Sequence, residues 1–180
     1  MSAVLLSVVA YSQAILPTTW SFTTVNLPTG WTEAGTIFYT ASGNTAPAMK
    51  FDNTGDYMII NFNSNPGDLT YYLTGNSFSG GSIFTVEESD LGSVWTTLHS
   101  HVSPPNASYT MYTDVPQSTT RFLRFIYTDK VTGNIGLDDV SVDIGAASAA
   151  QEINVKQGVS TIVSGDTYVI NSPVATMTPT

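Results

Sequence analysis

The side chains whose types and spacing could support chemistry are few, and most lie in three short stretches. Asp138 and Asp139 stand together in Ile135-Gly-Leu-Asp-Asp-Val-Ser-Val142, which otherwise alternates as a strand. Asp138 shares parity with Val140, Val142 and Ile144, whereas Asp139 shares parity with Leu137. A bulge near the pair is therefore expected to re-aim the carboxylates; the plainer alternative is that they solvate a strand end or cap a turn. His99 and His101, two residues apart in Thr-Leu-His-Ser-His, face the same side of a strand. Two imidazoles can begin a zinc or copper site but need a third ligand, for which Glu87, Glu88 and Asp90 are the candidates. The plainer expectation is an exposed polar face.

No catalytic set assembles. The chain has no cysteine, hence no thiolate nucleophile and no Cys-ligated metal. It lacks a Gly-x-Ser-x-Gly elbow, a His-Glu-x-x-His pair and a phosphate-cradling glycine loop. Glu87 and Glu88 are adjacent, so on a strand they diverge and cannot flank one glycosidic bond. A non-enzyme is expected; the rival is a β-sandwich hydrolase drawing carboxylates from distant strands. Aromatic rings offer the other chemistry, since they stack on pyranose faces while neighbouring Asn, Asp and Thr bond the hydroxyls. Trp95, Tyr72 and Tyr112 are the candidates for a sugar-binding platform, because each lies in a strand whose opposite parity already holds apolar residues.

The elements that must position these groups read as strands throughout. Runs rich in Thr, Val, Ile, Phe and Tyr recur between Gly, Pro, Asn and Asp, and helical periodicity is hard to find. The expected strands are 20–25, 36–40, 48–51, 57–62, 69–73, 82–87, 94–102, 108–113, 122–128 and 136–144, with Leu123, Phe125 and Tyr127 facing inward. This pattern implies an all-β, two-layer antiparallel jelly-roll β-sandwich over residues 15–144. Residues 145–151 are small and uncharged, as a linker would be, and 152–180 hold a short, incomplete β segment. Residues 3–10 are apolar but too few to span a bilayer, and Ser12 and Ala14 fit a secretory cleavage site. Residues 1–14 therefore read as a signal peptide lacking its basic start, the alternative being one more apolar strand.

Only 11% of the residues are charged, against roughly 25% in soluble domains at large. Five basic residues face fourteen acidic ones, a net charge of −9. Binding to a nucleic-acid backbone or an anionic membrane surface is thereby disfavoured, for want of a cationic stripe.

Three stretches carry a resemblance. Leu27-Pro-Thr-Gly-Trp31 after the first strand, Lys50-Phe-Asp-Asn-Thr-Gly-Asp-Tyr57 and the Leu137-Asp-Asp-Val-Ser141 strand are similar to jelly-roll modules of secreted Bacteroidetes proteins, to MAM-like domains and to carbohydrate-binding jelly rolls. Glu152-Ile-Asn-Val-Lys-Gln-Gly with Ser164-Gly-Asp-Thr-Tyr resembles the start of an immunoglobulin-like repeat. The resemblance implies a fragment of a longer bacterial protein, secreted or at the cell surface, with neighbouring domains as partners. It also implies a structural Ca2+ held by Asp138 and Asp139, although the opening strand lacks the acid often found beside them. The expected function is non-catalytic binding of a polysaccharide or glycan. The alternative is a structural or adhesive spacer of a cell-surface protein, or of a secreted nuclease or peptidase.

Overall fold

The computed structural model describes residues 12–146 and the short stretches 156–157 and 160–161. The chain divides into two compact units, Met1–Ala146 and Ala147–Thr180. The expected signal run at 3–10, most of the expected linker and most of the 152–180 segment lie outside the described residues. In the second unit, β12 (Lys156–Gln157) pairs with β13 (Ser160–Thr161) in an antiparallel hairpin.

The described residues of the first unit form eleven strands and no helix. They are β1 (Thr18–Trp20), β2 (Trp31–Ala34), β3 (Ile37–Tyr39), β4 (Ala48–Phe51), β5 (Tyr57–Asn61), β6 (Pro66–Asn76), β7 (Ile83–Ser89), β8 (Thr96–His101), β9 (Thr110–Asp114), β10 (Phe122–Asp129) and β11 (Asn134–Ile144). One antiparallel sheet runs β3-β4-β11-β6-β9, with β1 also on β11; the other runs β2-β5-β10-β7-β8. The two form a jelly-roll β-sandwich.

Alternation builds the core. Leu123, Phe125 and Tyr127 of β10 are fully buried, as their parity requires, and so are Leu69, Tyr71 and Leu73 of β6. Truncating a ring such as Phe125 to Ala would cost about 3–5 kcal/mol. Phe51 meets Phe84 edge-on at 5.0 Å between the layers, and Tyr71 meets Phe125 at 5.1 Å.

Two differences from the expected strands have local causes. The opening strand stops at Trp20, because Phe22 takes a positive φ of 54° and turns its ring into the core. Trp31–Ala34 is a strand where only a turn was expected: Gly30, at φ 85°, passes so close to the Ala14 backbone that a Cβ would collide with it. Ala14 is itself part of the sandwich, buried, with its N–H donating to the Asn61 carbonyl at 2.7 Å.

Candidate functional site

β11 is the strand on which the candidate site is built. Ile37, Lys50, Gly136 and Thr74 are successive register partners across β3, β4, β11 and β6, and Asn134 pairs with Asn76 one step away. On the outer face of this sheet Lys50, Gly136, Thr74, Asn76 and Asn134 line a cavity of about 120 Å³, together with Tyr39, Ser42 and Tyr109. Gly136 forms its floor, since any Cβ there would strike the Tyr109 hydroxyl. That hydroxyl lies 3.0 Å from Ser42 Oγ, and burial pushes its pKa up. Tyr39 is 43% exposed, with Lys50 Nζ 5.7 Å from its ring centroid and 2.8 Å from Asp52 Oδ2. Lys130 Nζ donates to Asn134 Oδ1 at 3.2 Å and to the Asp52 carbonyl. The cavity thus combines the exposed Tyr39 ring, two amides, the hydroxyls of Ser42, Thr74 and Tyr109 and one ion-paired lysine, a set suited to polyhydroxylated ligands.

Asp138 positions one wall of this cavity. The bulge anticipated near the pair falls between Asp138 and Ser141, with Asp139 at a φ of 45°. Asp138 is wholly buried under the loop between β3 and β4. Its Oδ2 accepts the N–H groups of Asn44 at 2.7 Å and Thr45 at 3.2 Å, and its Oδ1 accepts that of Asp139 at 2.8 Å. Burial, with Asp139 adding repulsion, raises its pKa to about 6 against the pull of the three amides. The loop that carries Ser42 is therefore pinned to β11 by a carboxylate.

This arrangement does not fit a calcium ion. Both Asp138 oxygens already receive N–H hydrogens, and Asp139 Oδ2 receives Asn44 Nδ2 at 3.0 Å, so a cation would meet amide hydrogens where it needs oxygens. Among the described residues no three His, Cys, Asp or Glu side chains are grouped to hold a metal.

The histidines do share a face, stacked 4.0 Å apart at 8°, but that face is turned inward. His101 is only 4% exposed, and its Nε2 lies 2.8 Å from the Tyr71 hydroxyl, which donates to Asp114 Oδ2 at 2.8 Å. His99 Nδ1 is 3.0 Å from Asp114 Oδ1. With Asp114 as acceptor on both sides, His101 donates from Nε2 and His99 from Nδ1. Burial, with neighbouring His99 adding to it, lowers the His101 pKa to about 4. The partner is Asp114 of β9, not Glu87, Glu88 or Asp90, so the cluster fastens β8 of one sheet to β9 of the other. Glu87 and Glu88 diverge as expected: Glu87 pairs with Arg124, while Glu88 Oε2 accepts the Gln117 N–H and the Thr120 hydroxyl.

The three expected platform rings are not brought together. Tyr112 points inward, stacked on Tyr71 at 5.7 Å, because the β9 parity places Met111 and Thr113 outward instead. Trp95 lies just before β8, so the strand expected over 94–102 does not include it, and the guanidinium of Arg124, on β10 of the other sheet, is 4.2 Å from its ring centroid. Tyr72 lies half-buried beside Met111 on the same outer face as the cavity, outside its lining. The rings that do line the cavity are Tyr39 and Tyr109. Neither carries a sequence signal of its own: Tyr109 precedes β9, and Tyr39 ends the edge strand β3.

No protein-family model matches the sequence, and none of the curated proteins does. Among solved structures, the K3 cleaved adhesin domain of Lys-gingipain from Porphyromonas gingivalis superposes at a TM-score of 0.58 with 15% identity, over 70% of this chain and 96% of that one. The C-terminal family 22 carbohydrate-binding module of Clostridium thermocellum Xyn10B gives 0.52 and 13%, over 71% and 92%. The CBM22-1 xylan-binding domain of Paenibacillus barcinonensis Xyn10C gives 0.52 and 15%, over 77% and 99%. These likenesses establish that the chain shares the jelly-roll β-sandwich of carbohydrate-binding modules and adhesin domains.

Proposed function

We propose that this protein is a non-catalytic carbohydrate-binding module of a larger, exported bacterial protein, secreted or displayed at the cell surface. The observation that carries the reading is the polar–aromatic cavity around Gly136, where Tyr39, Asn76, Asn134 and Lys50 converge on one sheet face. The fold shared with modules described as xylan-binding supports it by analogy. A glycan array with plant, algal and bacterial polysaccharides, run on the wild type and on Tyr39→Ala, tests it. Retention lost with Tyr39 is the expected result.

A spacer or adhesive role is the second reading. It is favoured by the division of the chain into two units and by the fold shared with gingipain adhesin domains. Failure to retain any glycan would decide for it. Export itself is tested by N-terminal sequencing of the mature chain.

A further inference from the structure

We propose that a second cavity of this protein binds an amino sugar through its free ammonium group. This cavity shares no lining residue with the one around Gly136 and does not depend on what that one binds. It lies between the turn after β7 and the segment 115–121 before β10. Its volume is about 320 Å³, within the range of ligand pockets, which begins at roughly 300 Å³. The two segments are tied together. Asp90 Oδ1 accepts the Thr119 hydroxyl at 3.1 Å, and Glu88 Oε2 accepts the Gln117 N–H at 2.8 Å and the Thr120 hydroxyl at 2.6 Å. Ser89 Oγ accepts the N–H groups of Leu91 and Gly92 and so fixes the turn.

The carboxylates set the charge of the ligand. Glu88 is only 5% exposed, yet both of its hydrogen bonds go to Oε2, and Oε1 has no partner among the described residues. Among those residues Trp20 Nε1 is the one side-chain nitrogen or oxygen that is both sealed off and unpartnered, so Glu88 Oε1 opens into the cavity that Glu88 lines. Asp90 lines the same cavity with Oδ2 unengaged. No basic residue lines it, and the nearby Arg121 guanidinium is held by the Ser118 and Thr120 carbonyls and by Asn65. A largely buried carboxylate oxygen without a partner is costly, and an ammonium group supplies the donor and the charge it lacks.

The rest of the lining sets the body of the ligand. Ser93, Thr96 and the Gln117 amide bring donors and acceptors, while Leu91 and Val94 bring aliphatic surface. A lysine side chain would satisfy the carboxylates but leave these hydroxyls and the amide unpartnered. A pyranose carrying an amine surrounds its charge with hydroxyls and offers C–H faces to the aliphatic groups.

The test is titration calorimetry of the whole chain with short chitosan oligomers and with fully acetylated chitin oligomers of the same length. The chitosan oligomers should bind at least about tenfold more tightly. Asp90→Asn should weaken them about tenfold and Glu88→Gln further; Asp90 is exposed with one hydrogen bond, so its variant keeps the test alive if Glu88→Gln does not fold. Asp68→Asn, at an exposed acid on β6, changes the net charge equally and should leave binding unchanged. Equal affinity for the two oligomers, or no binding of either, overturns the inference. So does undiminished binding in Asp90→Asn, which places the amine elsewhere, or an equal loss in Asp68→Asn, which reduces the effect to net charge. Short lysine peptides that bind as tightly would assign the cavity to a protein partner, and calcium binding lost in Asp90→Asn would assign it to a metal; either result overturns the amino sugar. All of these failures leave the glycan reading of the Gly136 cavity standing.

Discussion

Replacing His101 with Gln should separate two titrations that oppose each other. In the folded chain His101 is held neutral, its pKa lowered from 6.5 to about 4. The unfolded chain therefore takes up this proton first. The corresponding stability is complete above pH 6.5 and is lost as the pH falls towards 4, a span worth about 3 kcal/mol. Asp138 has the opposite sign. Its pKa is raised from 3.8 to about 6, so the folded chain takes up that proton first and gains about 3 kcal/mol as the pH falls from 6 to 3.8. In the wild type these two contributions nearly cancel. His101→Gln removes only the first and keeps an N–H for the Tyr71 hydroxyl, so its cost at neutral pH should stay near ~1 kcal/mol. Relative to wild type, the variant should gain about 3 kcal/mol between pH 7 and pH 4, about 10 °C in Tm. Urea unfolding of both proteins at a series of fixed pH values reads the difference directly. A difference that stays constant across the series would refute the assignment of a buried, neutral His101.

Gly136→Ala should leave the fold intact but push Tyr109 off the floor, lowering glycan affinity at least about tenfold, roughly 1.4 kcal/mol, while Tm moves little; unchanged affinity in titration calorimetry would contradict the site. Trp95→Ala should spare glycan binding and cost about 1 kcal/mol through the lost contact with Arg124, because that ring stands against the other sheet. Chelation with EDTA should not shift Tm, since Asp138 is satisfied by N–H groups; a drop restored by added calcium would show that the loop rearranges around the ion. A chain beginning at Ile15 should melt several degrees below one beginning at Gln13, having lost the Ala14 N–H bond to Asn61; equal melting would show that the bridge contributes nothing.

The sandwich was legible because parity is a local property. Leu123, Phe125 and Tyr127 declare an inward face whatever strands lie beside them, and the mismatch of Asp138 and Asp139 with their neighbours announced the bulge that the structure contains. The site was less legible, because it depends on which strands become neighbours. Nothing near Lys50 says that Gly136, 86 residues away in the chain, will lie beside it with Thr74 on the far side. Gly136 carries no side chain to draw the eye, yet its missing Cβ makes the room for Tyr109. Parity misled at Tyr112: a ring on a half-apolar edge strand was expected to face outward, but the sandwich left open space there for Tyr71 and His101 to fill with it. Asp138 was the reverse, a residue whose importance was visible and whose chemistry was not. Its partners are main-chain amides some 94 residues earlier, which no side-chain pattern reveals.

The order of the strands has a consequence for how the chain comes to be folded. β10 sits between β5 and β7, and β11 sits between β4 and β6, so each sheet receives its middle strand last. Until residue 144 is available, β4 and β6 have no common neighbour, and the Asn44 and Thr45 amides have no carboxylate to close on. A nascent chain shorter than this can pair β2 with β5, β3 with β4, β6 with β9 and β7 with β8, but it cannot join those pairs into the two sheets, because every centre-strand contact is long-range. Folding is therefore deferred to the completion of the unit, and an incomplete chain exposes two unpaired strand edges to its neighbours. Should the chain be exported as proposed, such a delay would keep its sheets unjoined and the chain threadable until the last strand has passed.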